Sequence, residues 1–149
     1  MKELQERFPG VEWHEGIDMP ALWVPAEQML EVMTALKEEY GFNFLADLTG
    51  VDLPEKDQLV LVYHLMAVPE GREVRIKVAT PRRKPEVPSL VALWPAAEVQ
   101  ERETYDLLGV VFVGHPRLKR ILCPEDFEGH PLRKDFRLPK EEGGMEGEA

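Results

Sequence analysis

Two copies of one tripeptide stand out among residues able to do chemistry. Gly-His-Pro occurs at 114–116 and again at 129–131, fifteen residues apart, and each copy runs into a basic cluster. Between them lie the only cysteine, Cys123, and the acidic stretch PEDFEGH. Imidazole, thiolate and carboxylate are zinc ligand types, so His115, Cys123 and His130 with Asp126 or Glu128 would supply four donors. The spacing argues against it, because gaps of eight and seven residues match no tight metal knuckle. A Cys–His nucleophile fits less well still. Cys123 is followed by Pro124 and acids, and neighbouring carboxylates raise a thiol pKa.

The local chemistry of the tripeptide favours architecture. Gly permits positive φ, and Pro restricts both itself and the residue before it. Each copy therefore aims a His from a defined turn. Arg117, Lys119 and Arg120 after the first copy, and Arg133 and Lys134 after the second, offer donors to carboxylates. Residues alone leave two readings open, an internal salt-bridge network or a protein interface. In the same way, His115 and His130 either lock their own turns or face a partner.

The segment before these turns, AAEVQERETYDLLG at 96–109, reads as a helix closed by Gly109. Glu98, Arg102 and Asp106 form an alternating-sign ladder at four-residue steps, the pattern of a solvated face. Glu103 lies four residues after Val99 and four before Leu107, on an apolar stripe, where a carboxylate must meet a cation or a partner. Glu101 and Glu103 do not make an acid–base pair, because residues two apart point to different sides of a helix.

Other elements must position this region. PAEQMLEVMTALKEEYG, 25–41, has apolar residues at three- and four-residue steps and reads as an amphipathic helix. FNFLADL alternates, which predicts a strand with Phe42, Phe44, Ala46 and Leu48 on one face. QLVLVYHLMA, 58–67, is apolar on both faces and reads as a central strand. A turn at Pro69–Gly71 and the alternating EVRIKVA, 73–79, complete an antiparallel hairpin with Val74, Ile76 and Val78 inward. ALWV, 21–24, and VVFV, 110–113, read as short strands. TPRRKPEVP, 80–88, reads as a polar proline-rich linker.

Composition bounds the rest. A chain of 149 residues suits one domain. We expect a sheet domain over 1–113, an extended arm of the same domain over 114–137, and a disordered acidic tail over 138–149. The net charge of −10 argues against nucleic acid as a partner. Residues 115–137 nevertheless hold six basic against four acidic side chains, a basic island in an acidic protein. One cysteine allows no internal disulfide and no four-thiolate iron–sulfur cluster held by this chain alone. The opening MKELQERF is charged, which is not the pattern of a signal peptide. The longest apolar run, 59–68, is strand-sized and falls short of the roughly twenty residues of a membrane span. Any membrane association is expected to run through a partner.

ERETYDLLGVVFVGHPRLKRILCPEDFEGHPLRKDF, Glu101 to Phe136, resembles the signature region of the thirty-kilodalton subunit family of respiratory complex I, the C subunit of bacterial NADH-quinone oxidoreductase. The family pattern runs Glu-Arg-Glu, an aromatic and Asp, Gly, the first Gly-His-Pro, a basic-Ile-Leu segment, and a closing Gly, an aromatic or His, then Pro-Leu-Arg-Lys-Asp. FNFLADLTGVD and LVYHL resemble its earlier sheet segment, so the likeness spans 40–137. The resemblance implies an α+β fold: a single domain with a mixed, largely antiparallel sheet packed by helices, followed by an extended C-terminal arm. It implies a subunit with no catalysis and no cofactor of its own. In the holoenzyme NADH, FMN, iron–sulfur clusters and quinone reside elsewhere, and protons are translocated. It also implies packing on the large quinone-module subunit and neighbouring peripheral-arm subunits, at the cytoplasmic side of the cell membrane. By this likeness Glu101, Arg102, Glu103 and Asp106 serve assembly. So do Gly114, His115, Pro116 and Arg120 of the first turn, and Gly129, His130, Pro131, Leu132, Arg133, Lys134 and Asp135 of the second. The equivalent subunit of a membrane-bound group-four nickel–iron hydrogenase or formate hydrogenlyase complex is the second reading. A free-standing metal enzyme is the third.

Overall fold

A computed structural model of the chain describes residues 2–15 and 20–136. Arg137 and the acidic tail expected over 138–149 lie outside the described residues. The elements are α1 (Lys2–Arg7), β1 (Glu12–His14), β2 (Ala21–Trp23), α2 (Met29–Glu38), β3 (Phe44–Leu53), β4 (Gln58–Ala67), β5 (Arg72–Pro81), β6 (Glu86–Pro88), α3 (Ala97–Leu108) and β7 (Val111–Val113). Among the described residues, five strands form one sheet in the order β1-β2-β5-β4-β3, and β6 and β7 pair separately. The β2–β5 and β6–β7 pairs are parallel and the rest antiparallel, so the fold is α+β with a mixed sheet.

The hairpin forms as its alternation dictates. Leu61, Tyr63 and Leu65 of β4 and Val74, Ile76 and Val78 of β5 are buried together. The opposite side of β4 is only half covered, at Val62, His64 and Met66, so β4 is central in the sheet without being buried on both faces. Met33 and Leu36 of α2, Leu4 of α1, and Leu108 and Phe112 from the far end of the chain close the same core. The helix expected over 25–41 is shorter: a single 3-10 turn at Ala26–Gln28 precedes α2, and Gly41, at φ +78, reverses the chain so that Phe42 N–H donates to the Leu36 carbonyl.

The strand expected over 42–48 departs in two ways. It runs on to Leu53, and its register shifts between Leu45 and Asp47. A bulge adds one residue and moves the alternation to the other face. Leu45 and Leu48 are therefore buried, while Phe44 is 45% exposed. The proline-rich 80–88 stretch is not a bare linker either. Its end forms β6, and Thr80 and Glu86 are tied by paired hydrogen bonds through the Thr80 hydroxyl. At Gly50 a Cβ would overlap Leu108 Cδ1, so the end of α3 lies close against β3 over a glycine.

Candidate functional site

The last turn of α3 and the arm that follows form one hydrogen-bonded unit. A helix leaves its final carbonyls without intrahelical donors, and its C-terminus carries partial negative charge. Here each of the four is met. Gly109, left-handed at φ +82, returns its N–H to Tyr105 O at 2.8 Å. His130 Nδ1 donates to Asp106 O at 3.0 Å, Leu132 N–H to Leu107 O at 2.9 Å, and Arg133 Nε to Leu108 O at 2.6 Å. The second Gly-His-Pro turn and the Leu-Arg that follow it are thus the cap of α3. The His130 ring lies against Gly109, where a Cβ would stand 2.9 Å from His130 Cδ2.

Asp106 organises the other half of the arm. Its carboxylate is fully buried. Oδ1 accepts Arg120 Nη1 at 2.7 Å, and Oδ2 accepts the consecutive backbone N–H groups of Ile121, Leu122 and Cys123 at 3.1, 2.6 and 2.7 Å. Arg120 Nη2 continues to Gly129 O at 2.6 Å, and its guanidinium stacks over Phe127. Burial alone would raise the Asp106 pKa, but these donors outweigh it and hold the carboxyl below its ordinary value. Cys123 is pushed up by burial and by Asp106, the reverse of an activated nucleophile.

A second carboxylate, Asp52 of β3, fixes the end of the arm. Arg82 Nε and Nη2 bind its two oxygens at 2.5 and 2.8 Å, a fork that matches carboxylate geometry. Asp52 Oδ2 also accepts Lys134 N–H at 2.7 Å, and Asp135 lies 3.2 Å from Arg82. The Arg82 hydrogen bond, opposed by burial, lowers the Asp52 pKa.

A third carboxylate, Glu101, faces the core. It accepts Ser89 Oγ and Leu90 N–H, each at 2.7 Å, from the two residues that follow β6. Burial raises its pKa against those two bonds. Near it the Tyr63 hydroxyl is buried with no hydrogen-bond partner among the described residues.

The expected residues therefore separate by direction. Arg102 binds the carbonyls of Lys119 and Arg120. His115 donates from Nε2 to Glu98 O at 2.9 Å, while its Nδ1 accepts Arg117 N–H at 2.9 Å, so it locks its own turn beside Gly114 at φ +92. Pro116 is exposed, Gly129 stands at φ +90 and Pro131 is half-buried. Leu132 and Lys134 give backbone N–H groups inward and side chains outward. Asp106 is not on a solvated face, and the deeply buried glutamate of α3 is Glu101 rather than Glu103. The sequence reading followed Val99 and Leu107, but Val99 is 45% exposed; the helix instead buries Ala97, Glu101, Thr104 and Leu108. It missed Asp52, Arg82 and Ser89. An acid flanked by Val51 and Leu53 in a strand was the available signal for Asp52, and nothing local marked its partners. No group of three or more His, Cys, Asp or Glu able to hold a metal occurs among the described residues, and no helix among them is long and apolar enough to cross a membrane.

This α+β domain has the fold of subunits from respiratory membrane complexes. It resembles a trypsin-resistant fragment of Nqo5 with a TM-score of 0.69 and 34% identity, over 78% of this chain and 95% of that one. It also resembles a chain of the membrane-bound sulfane sulfur reductase, an archaeal respiratory membrane complex, with a TM-score of 0.78 and 30% identity, over 91% of this chain and 82% of that one. The chain belongs to the respiratory-chain NADH dehydrogenase 30 Kd subunit family, whose profile matches residues 22–142. The NADH-quinone oxidoreductase C subunit of Moorella thermoacetica is 64% identical over 143 residues, covering 96% of this chain and 97% of that protein.

Proposed function

We propose that this chain is a scaffold subunit of an NADH-quinone oxidoreductase, without catalysis or cofactor of its own. It supports electron transfer from NADH to quinone by packing on the large quinone-module subunit and its peripheral-arm neighbours. The observation that carries this reading is the 64% identity to an NADH-quinone oxidoreductase C subunit along nearly the whole chain. The arm geometry supports it: the charged groups of Asp106, Arg120 and Arg133 are consumed in fixing backbone shape, while Pro116, Leu132, Lys134 and Asp135 stand on the outside. In this reading the chain meets the cytoplasmic membrane surface through the complex.

Co-purification of the complex from cells carrying a tagged copy tests this. NADH-quinone oxidoreductase subunits are expected in the eluate, with activity absent from the isolated chain. NADH oxidation or quinone reduction by the chain alone overturns the scaffold role. The likeness to the sulfane sulfur reductase complex favours a second reading, membership of a related membrane complex. Co-purification with a nickel–iron subunit and no quinone reductase activity selects a hydrogenase relative.

A further inference from the structure

β3 is the terminal strand of the five-stranded sheet, paired only with β4 over ten residues. Natural edge strands are normally short, covered or charged, because their outward backbone groups invite pairing. Here the edge borders a groove of about 280 Å³ between Asp47–Gly50 of β3, the second half of α3 and the arm. Leu107, Leu108, Leu122 and Leu132 supply its apolar lining, and Leu122 and Leu132 are 59% and 55% exposed. Its two acids, Asp47 and Glu103, have no hydrogen-bond or ion-pair partner among the described residues.

We infer that this groove receives an extended segment of a partner subunit, bearing aliphatic side chains for the leucines and a Lys or Arg for Glu103. The inference rests on the subunit reading above. Charge decides between occupants. The segment 137–149 of this chain holds four Glu against Arg137 and Lys140, a net negative charge that Asp47 and Glu103 disfavour. A second copy brings a net charge of −10 to the same two acids. A basic, aliphatic strand of a different chain gains on both counts, and main-chain pairing along β3 gives it register. The groove lies below the usual small-molecule range of roughly 300–1,000 Å³.

A photo-crosslinking phenylalanine at position 122, in the full chain within the assembled complex, identifies the occupant. The expected product joins position 122 to a Lys- or Arg-containing aliphatic segment of another subunit. Glu103→Lys and Leu122→Asp are each expected to reduce capture of that subunit at least about tenfold, with the melting curve of the isolated chain unchanged. A crosslink to 137–149 or to a second copy overturns the inference. So does wild-type capture by both variants. In either case, continued co-purification with the complex leaves the subunit reading standing. Absence of any co-purifying oxidoreductase subunit overturns both.

Discussion

The guanidinium of Arg120 meets the carboxylate of Asp106 at 2.7 Å, at a position from which Asp106 has no contact with solvent. Three backbone N–H groups complete that carboxylate, so the whole first half of the arm closes on one side chain.

Removing Asp106 leaves Arg120 and three N–H groups without their acceptor. Breaking a buried pair of this kind costs about 3–5 kcal/mol. Asp106→Ala is therefore expected to lose stability on that scale in urea unfolding. Trypsin is expected to cut after Arg117, Lys119 and Arg120 faster than in the wild type. A loss under about 1 kcal/mol with unchanged digestion is inconsistent with the arm being held here.

The carboxylates respond to pH in opposite senses. Asp52 and Asp106 have folded-state pKa values below the ordinary 3.8, the first through Arg82, the second because its donors overcome burial. The stability they contribute is full above that ordinary value and is lost as pH falls through the folded-state values. Glu101 is raised above 4.5 by burial, so its contribution is full below 4.5 and is lost as pH rises through its folded-state value. Thermal melts across the acid range are expected to show Glu101→Gln gaining on the wild type as pH rises above 4.5. Asp106→Asn is expected to remove part of the acid-side loss instead. A gain by Glu101→Gln that is constant with pH contradicts a shifted Glu101.

Tyr63 reverses a usual expectation. Losing a hydroxyl from a core normally costs a hydrogen bond, but this one is buried with no partner among the described residues. Tyr63→Phe is expected to hold or raise the melting temperature, since it removes an uncompensated desolvation of about 1–3 kcal/mol. A clear drop in melting temperature reveals an internal partner for the hydroxyl.

Gly109 and His130 must change together. Gly109→Ala meets both a left-handed φ of +82 and the His130 ring at 2.9 Å. His130→Ala opens space but removes the 3.0 Å hydrogen bond to Asp106 O, at a cost of about 1 kcal/mol. The double variant is expected to be less destabilised than the sum of the two singles, read from urea unfolding of all four proteins. Strict additivity argues that ring and glycine do not touch.

Local elements were legible because their periods are intrinsic. The β4–β5 hairpin and the core of α2 follow from alternation and from three- and four-residue steps. Where the reading failed, the determinant was remote. The shift at Leu45–Asp47 is a pairing feature that β3 alone does not encode. The inward face of α3 was misread because a polar row, Glu101 and Thr104, sits between Ala97 and Leu108, while the apolar Val99 faces out. Asp52 reaches Lys134 across 82 positions, a separation at which spacing carries no signal. Both tripeptides form turns, as read, and each histidine makes a hydrogen bond within the chain: His115 to Glu98 O, and His130 to Asp106 O.

Arg133 grips the end of α3 and the very next residue, Lys134, grips β3 through Asp52. Two adjacent residues thus span helix and sheet as a brace. Whatever meets the outer surface of 132–135 encounters a shape whose conformational entropy was surrendered during folding. Association through it therefore avoids the ordering penalty that a flexible loop would incur on contact.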